Sequence, residues 1–421
     1  MKNLVCYRCG ASAAFPDRKR CECGEPLWFD TERPAADFSW PDSTGSDSTG
    51  VWRYDDLLPV EISGPGDSSA GVTATAGVGA AAGATPLVRA EPLDDSAGCR
   101  LWLKDESENP TGSFKDRGSA VGAVWSAEAD REWIGTVSHG NMAISVAANA
   151  AGIAGGSGRE EGDGPAALVL VPDDISDERL AAIAQYDPAV LRISGDYGDL
   201  YYRTLSADAP VEFVNSDTPL RVAGQKTTAL EICDEFAPNA PDAIVLPVSS
   251  GGHASATWKA LRELRTAGLL AESDLPRLYF VQASACDPIA EAYREDADEV
   301  TAIEQTESTA AYSIANADPP SGTRALTAAR DTGGAVISVP DDEILDAKAD
   351  LARKAGFCVE PASATTLAGI RRLSERGALD ADDEVVAVLT GTGFRELDAG
   401  GEKPEAVALA DLPERLRALA G

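Results

Sequence analysis

The chain has 421 residues, of which 44% are hydrophobic, and its 36 Lys and Arg against 69 Asp and Glu give a formal net charge of −33. A chain of this length and composition can bury the cores of two or three domains. So large a negative charge repels nucleic acid phosphates and anionic membrane surfaces, and neither is an expected partner.

The acidic residues are spread along the whole chain, and lysine is scarcer than arginine. This pattern resembles proteins of salt-loving cytoplasms, where salt screens the self-repulsion, and an acidic mesophilic protein is the alternative. The apolar stretches are short and broken by charge or glycine, so we expect no transmembrane helix. The start, from Met1 to Cys6, contains no apolar signal core. We therefore predict a cytoplasmic protein.

Two cysteine pairs open the chain, Cys6 with Cys9 and Cys21 with Cys23. Residues 1–30 are too few for a core of their own, and four thiolates on two tight turns suit a tetrahedral structural zinc site. The second pair has the less typical Cys-x-Cys spacing, and unliganded thiols or a redox pair are the alternatives. Because we expect a structural role, removing the residues before about Ser39 should spare the chemistry.

Residues 31–84 are predicted to be a linker, because the stretch from about Pro41 to Ala84 is rich in Gly, Ser, Ala and Asp. An apolar island from Val51 to Pro59 interrupts it and is expected to dock on the folded domain. A second stretch of glycine and acidic residues, Gly155 to Pro165, predicts a surface loop.

Short β-branched runs alternate with amphipathic stretches through the rest of the chain. The predicted strands are Ile134 to Val137, Ala167 to Val171, Val190 to Ile193, Val211 to Val214, Ala243 to Val248, Leu278 to Gln282, Ala335 to Val339 and Glu384 to Leu389. Largely apolar strands separated by helices indicate parallel sheets covered on both faces, here as two α/β lobes. Ligands of such folds bind at the carboxyl ends of the strands.

Polar loops follow several of these runs. Lys115 lies among turn formers and small polar residues, where an amine can form an imine with an aldehyde cofactor; a surface lysine is the alternative. Ser138 and Asn141 lie in a loop that opens an alanine-rich helix, whose N-terminus favours an anion; a simple helix cap is the alternative.

A glycine-rich loop follows the strand from Ala243. Its backbone amides and hydroxyls could cradle a phosphate, and its residues are Ser249, Ser250, Gly251, Gly252 and His253. The chain has two histidines, at positions 139 and 253. This scarcity excludes a histidine-rich metal centre and argues against a serine triad.

These loops occur in a particular order along the chain, together with the segment from Glu360 to Ala364 and the turn from Thr390 to Gly393. The order resembles that of the fold-type II pyridoxal-phosphate enzymes, and among these the threonine synthase family. The resemblance covers nearly everything from Val51 to Thr390. Its further matches are Trp52 to Tyr54, Thr85 to Leu87, Asn109 to Gly118, Asn215 with Ser216, Arg221, and Gly224 to Lys226. Similar cysteine pairs precede many archaeal relatives.

The resemblance implies a role for each matched residue. Lys115 would carry pyridoxal 5'-phosphate as a Schiff base and move protons at the substrate Cα and Cβ. Asn141 would bond the cofactor's phenolate oxygen, and Thr390 would face its pyridine nitrogen. The loop from Ser249 to His253 would hold its phosphate. The predicted substrate-binding residues are Ser138, Ser216 and Arg221, with Arg221 offering two parallel donors to a phosphate.

The resemblance also implies a fold and a reaction. The fold is α/β with two lobes, like the β subunit of tryptophan synthase, plus the zinc-ribbon-like segment. Residues 85–120 and 221–421 would form the large cofactor-binding lobe and residues 121–220 the smaller one. The reaction converts O-phospho-L-homoserine and water to L-threonine and phosphate, so the expected partner is a small amino-acid phosphate. A homodimer is expected from the relatives.

Two departures from the family pattern concern the substrate. Met142 replaces a usual threonine, and Ser250 and His253 stand where asparagines are common. They leave open a paralog of the same fold, either a serine or threonine dehydratase or a β-replacement enzyme for O-phosphoserine such as cysteate synthase. A binding or regulatory protein that lost the chemistry is the alternative from another class, and the presence of Lys115 and Asn141 counts against it.

Overall fold

The computed structural model describes residues 3–41, 49–60, 77–138, 140–155, 164–195, 197–207, 209–304, 307–395 and 406–419. His139, most of the predicted loop from Gly155 to Pro165 and parts of the predicted linker lie outside the described residues.

The larger sheet has six strands, five of them parallel and one antiparallel at an edge. In sheet order the strands are β12 (Ala335–Val339), β11 (Arg277–Ala283), β10 (Ala243–Pro247), β13 (Glu384–Leu389), β5 (Arg100–Asp105) and β4 (Leu87–Arg89). Alternate residues of the central strand β10 face two different hydrophobic cores, Ile244 one and Val245 the other. Both faces of the sheet are therefore covered, which explains its continuous apolar runs.

The smaller sheet has four parallel strands. In sheet order these are β8 (Ala189–Ile193), β7 (Ala166–Pro172), β6 (Trp133–Val137) and β9 (Val211–Phe213). All eight strands predicted from the sequence are confirmed, each to within one residue at either end. Strand β5 is a finding of the structure, because charged residues flank its apolar centre in the sequence. One of them, Lys104, is buried and its Nζ lies 2.7 Å from Oε2 of Glu231.

Most of the helices cover or connect the two larger sheets, whereas the C-terminal helix has no buried residue. Over the described residues they are α1 (Glu32–Ala35), α2 (Asp94–Ala97), α3 (Lys115–Glu128), α4 (Asn141–Gly155), α5 (Asp177–Ala184), α6 (Tyr197–Leu205), α7 (Pro219–Gln225), α8 (Thr227–Phe236), α9 (Gly252–Thr266), α10 (Pro288–Arg294), α11 (Gly322–Asp331), α12 (Asp341–Ala355), α13 (Pro361–Glu375) and α14 (Leu412–Leu419). Within the described part of the chain, no helix combines the length and the apolar character that crossing a bilayer demands.

The N-terminal segment forms a small antiparallel sheet with no core of its own. Its strands, in the order β2, β1 and β3, are Ser12–Ala14, Asn3–Cys6 and Leu27–Phe29. Leu4 and Phe29 belong to the same buried cluster as Trp52, and Trp28 packs against Trp258 of α9 with ring centroids 5.5 Å apart. The predicted fold class is confirmed: parallel sheets covered by helices, with a small cysteine-bearing segment at the N-terminus.

Candidate active site

Loops at the carboxyl ends of strands from both parallel sheets line one cavity of about 940 Å³. The loops after β6 and β9 come from the smaller sheet, and those after β5, β10 and β13 come from the larger one. Of the residues that the sequence assigned to cofactor and substrate, those on the wall are Lys115, Ser138, Asn141, Ser216, Ser249, Ser250, Gly251, Gly252, His253 and Thr390. Residues far apart in the chain thus meet at one site.

Lys115 is the first residue of α3 and faces the cavity. Its Nζ lies 4.2 Å from the ring centroid of Phe114. Burial, and next the positive charge of Arg221, lower the pKa of Lys115 to about 7, while the carboxylate of Glu360 opposes the shift. A large share of the amine is therefore neutral at pH 7, which is the form that attacks an aldehyde.

Glu360 joins two of the predicted cofactor residues. Nδ2 of Asn141, at the start of α4, donates to its Oε2 at 3.0 Å, and Oγ1 of Thr390 donates to its Oε1 at 3.3 Å. Glu360 is the residue that precedes α13, and only 5% of it is exposed. The sequence places it in a family segment without a role in the site. The signal in the sequence that could have pointed to Glu360 is a carboxylate directly before a proline that starts a helix.

Arg395 is a second site residue that the sequence analysis missed. It lies just beyond the Thr390 turn and lines the cavity. Its Nη1 donates to Oδ1 of Asn141 at 3.0 Å, and its Nη2 donates to the carbonyl oxygen of Thr111. With Oδ1 accepting from Arg395 and Nδ2 donating to Glu360, the amide of Asn141 has a defined orientation. The second hydrogen of Nδ2 is what Asn141 can offer to a ligand.

The glycine-rich loop connects β10 to α9, and its glycines permit close backbone approaches. Gly251 has a φ of +84°, and a Cβ there would lie 2.4 Å from the carbonyl oxygen of Ser321. A Cβ on Gly252 would lie 2.0 Å from the carbonyl oxygen of Ser216. The side-chain Oγ of Ser250 accepts from Asn316 at 3.1 Å. The loop thus opens α9 with free backbone amides, which suit a phosphate.

His253 stacks on Phe114, with ring centroids 4.2 Å apart and planes inclined by 12°. Its Nε2 lies 3.3 Å from Oγ1 of Thr228. Burial, together with the charges of Lys115 and two arginines, holds the pKa of His253 well below its usual value of 6.5. The ring is therefore neutral near pH 7, and it packs beside the lysine without adding a charge.

Arg221 is the one predicted substrate residue that the structure keeps off the cavity wall. It is fully buried, and its Nη1 donates to Oγ of Ser119 at 2.6 Å. Its Nε and Nη2 have no hydrogen-bond partner among the described residues. Burial lowers the pKa of Arg221 to about 10, so the guanidinium stays charged at neutral pH and acts on Lys115 through its charge.

Tyrosines and charged residues of both signs also line the cavity. Tyr201, Tyr202 and Tyr312 line it, and the guanidinium of Arg179 lies 4.4 Å from the ring centroid of Tyr312. Met142, the residue that departs from the family pattern, is 8% exposed and also lies on the wall. The substitution noted in the sequence therefore alters the binding surface itself.

The four N-terminal cysteines form a separate cluster. Their sulfur atoms all lie within 4.8 Å of one another, with Cys6 to Cys23 at 3.6 Å and Cys9 to Cys21 at 3.5 Å. A tetrahedral zinc with Zn–S bonds of about 2.3 Å separates its sulfurs by about 3.8 Å. The cluster therefore has the dimensions of a four-thiolate site.

The residues of the cavity also fit pyridoxal phosphate: a lysine with a lowered pKa, a helix N-terminus for a phosphate and buried polar side chains between them. The chain belongs to the family of pyridoxal-phosphate-dependent enzymes, because the family model described as "Pyridoxal-phosphate dependent enzyme" matches residues 78–391.

Two threonine synthases are similar to this chain over nearly its whole length. The threonine synthase of Methanocaldococcus jannaschii is 35% identical over 401 residues, which cover 94% of this chain and 93% of the relative. The threonine synthase of Methanosarcina acetivorans is 33% identical over 400 residues, which cover 93% of this chain and 91% of the relative. These comparisons confirm the predicted class, a pyridoxal-phosphate-dependent lyase.

A solved structure shares the fold. Serine racemase from Dictyostelium discoideum superposes with a TM-score of 0.60 at 22% identity, covering 75% of this chain and 93% of the racemase. At this identity the likeness concerns the fold alone. It agrees with the fold-type II architecture.

Proposed function

We propose that the chain is a threonine synthase, which converts O-phospho-L-homoserine and water to L-threonine and phosphate. The observation that carries the proposal is the position of Lys115. Its amine, with a pKa of about 7, lies in the same cavity as Ser216 and the glycine-rich loop. The similarity to archaeal threonine synthases over 94% of the chain supports the choice of substrate.

We propose the following cofactor residues: Lys115, Asn141, Ser249, Ser250, Gly251, Gly252, His253 and Thr390. Bound pyridoxal phosphate supplies an electron sink that stabilises negative charge at the substrate carbons. The amides at the start of α9 hold its phosphate, and Asn141 offers its remaining hydrogen to an oxygen of the cofactor. Thr390 faces the cofactor with a neutral hydroxyl, which Glu360 and Ser363 orient.

Lys115 is proposed to move the protons. A group with a pKa close to the working pH both accepts and returns protons readily, which the reaction requires at Cα and again at Cβ of the substrate. Arg221 and Glu360 adjust this pKa in opposite directions. Burial has the largest effect on this pKa, and the two opposite charges adjust it further.

Ser138 and Ser216 are proposed to bind the substrate, since both line the cavity. Arg221 is proposed to act mainly by lowering the pKa of Lys115. Its Nε and Nη2, which have no partner among the described residues, would be open to a substrate phosphate after a rearrangement. The cysteines Cys6, Cys9, Cys21 and Cys23 are proposed to hold a structural zinc. The cytoplasmic location, the homodimer and the salt-adapted origin stay predictions.

The decisive assay follows phosphate release and threonine formation from O-phosphohomoserine by the cofactor-loaded protein in molar potassium chloride. We expect the two products in equal amounts, and neither from Lys115→Ala. Lys354→Ala is the matched control, because Lys354 is an exposed lysine on α12, and it should keep full activity. A cofactor-loaded protein that releases neither product would contradict the proposal. Serine, threonine and O-phosphoserine would then be tested for the paralogous activities.

A further inference from the structure

Arg20 is the residue before Cys21 and is tied to the cysteine turn. Its Nη1 donates to the carbonyl oxygen of Gly24 at 2.7 Å, and its backbone forms a β-bridge with Pro26. The amide of Gly24 in turn donates to the carbonyl oxygen of Cys21 at 3.0 Å. The place of Arg20 therefore depends on the turn that carries Cys21 and Cys23.

The other end of the same guanidinium contacts two residues of the cavity wall. Its Nη2 donates to the carbonyl oxygen of Pro320 at 2.6 Å and lies 3.4 Å from Oδ2 of Asp217. The guanidinium carbon is 5.8 Å from the ring centroid of Tyr202. Pro320 and Tyr202 both line the cavity, Pro320 from the larger lobe and Tyr202 from the smaller one.

Asp217 is the residue through which Arg20 can act on the site. It is 1% exposed and accepts hydrogen bonds from the hydroxyl of Tyr201 and from Oγ of Ser321, the latter at 3.2 Å. It directly follows Ser216, whose carbonyl oxygen packs against Gly252 at the start of α9. A buried carboxylate that loses its cation is costly and tends to rearrange. Any such movement acts directly on Ser216 and Tyr201.

The neighbouring residue, Lys19, also connects the cysteine segment to the rest of the protein. Nζ of Lys19 lies 2.7 Å from Oε1 of Glu212 in β9 and donates to the carbonyl oxygen of Phe213 at 3.0 Å. Arg324 cannot supply the contact that Arg20 makes, because its Nη2 donates to the main-chain oxygen of Asp217 at 3.4 Å; it reaches the carboxylate through its charge alone. Residues 19 and 20 thus join the cysteine segment to both lobes beside the cavity.

We propose that Arg20 is a positioning residue of the active site, through which the cysteine segment holds the substrate side of the cavity in place. The sequence alone predicts a segment whose removal spares the chemistry. Through the contacts of Arg20, the cysteine segment has a second role, which is to hold Asp217, Ser216 and Tyr201 in position. The kinetic part of this inference rests on the proposed function, whereas its structural part does not.

The test compares the full-length, cofactor-loaded wild type with Arg20→Gln and Arg18→Gln. Arg18 is the matched control, because it lies in the same segment but pairs with exposed Glu22 and contacts no cavity residue among those described. Hydrogen–deuterium exchange is measured in peptides covering residues 197–217 and 316–322. We expect faster exchange in both peptides for Arg20→Gln alone. This readout needs no substrate, so it stands even if the proposed reaction is wrong.

Steady-state kinetics with O-phosphohomoserine form the second readout. Arg20→Gln should raise KM about tenfold and change kcat less than about twofold, because a displaced binding wall weakens substrate positioning while Lys115 is untouched. If Arg20→Gln does not fold, Arg20→Lys decides. It keeps the charge but loses the rigid fork whose two nitrogens donate to the carbonyl oxygens of Gly24 and Pro320, so exchange and KM should still rise. Wild-type exchange together with wild-type KM in a folded Arg20 variant would overturn the proposal.

Discussion

Nδ2 of Asn141 donates a hydrogen bond to Oε2 of Glu360 at 3.0 Å, although 219 positions separate the two residues. The bond joins the start of α4, which packs on the smaller sheet, to the start of α13, which packs on the larger one. It also holds the Glu360 carboxylate where its charge opposes the lowering of the Lys115 pKa.

Glu360→Gln should therefore lower the pKa of Lys115 below its value of about 7, because removing a nearby negative charge disfavours the protonated amine. The measurement is the rate at which cofactor-free protein binds pyridoxal phosphate as a function of pH, since the neutral amine is the reactive form. The midpoint should move to lower pH. The control is Glu272→Gln, which removes an exposed carboxylate paired with Arg265 and should leave the midpoint unchanged. A midpoint that rises in Glu360→Gln would contradict the assignment.

Lys115→Met should stabilise the cofactor-free protein at neutral pH. The pKa of Lys115 is about 7 in the folded chain against an ordinary 10.5, so the unfolded chain binds more protons between these values. The cost of burying the ammonium is complete below pH 7 and disappears as the pH rises towards 10.5.

Urea unfolding should accordingly show Lys115→Met to be about 4 kcal/mol more stable than the wild type at pH 7, since each unit of pKa shift corresponds to about 1.4 kcal/mol. The difference should shrink at pH 10. Lys354→Met serves as the control and should change little at either pH, because the Lys354 side chain is 46% exposed. A gain that grows with pH would show that the sign of the shift is wrong.

Gly252→Ala should weaken cofactor binding at least about tenfold, because its Cβ would lie 2.0 Å from the carbonyl oxygen of Ser216 and must push the loop and the strand end apart. Titration of cofactor-free protein with pyridoxal phosphate, followed by fluorescence, measures the change. Thr266→Ala, at the exposed far end of the same helix, is the control. Wild-type affinity in Gly252→Ala would mean that the loop does not bind the cofactor.

Cys21→Ser should remove the metal from the N-terminal segment. We expect the wild type to contain one zinc per chain by elemental analysis and the variant to contain almost none, since a tetrahedral thiolate site seldom survives the loss of a ligand. Cys358→Ser, outside the cluster, should keep its zinc. If the wild-type protein holds no metal even when it is purified with zinc in the buffer, the zinc assignment is wrong and the four cysteines are free thiols.

The sequence by itself predicted eight of the ten strands in the two larger sheets and the polar loops that follow several of them. Apolar β-branched runs identified eight strands, because a strand buried on both faces admits little else. In a parallel α/β fold the ligands bind beyond the carboxyl ends of the strands, so the loops with Lys115, Asn141 and Thr390 were candidates, and the family resemblance assigned a role to each residue.

Only the tertiary structure decided which charged groups meet. In the sequence Arg395 and Arg20 look like ordinary surface residues and Glu360 has no assigned role, because the partner of a charge is known only when the chain has folded around both. Arg221 shows the converse, since a residue type suited to a phosphate is buried away from the cavity wall. Strand formation depends on neighbours a few residues apart, whereas burial and pairing depend on contacts across hundreds of positions.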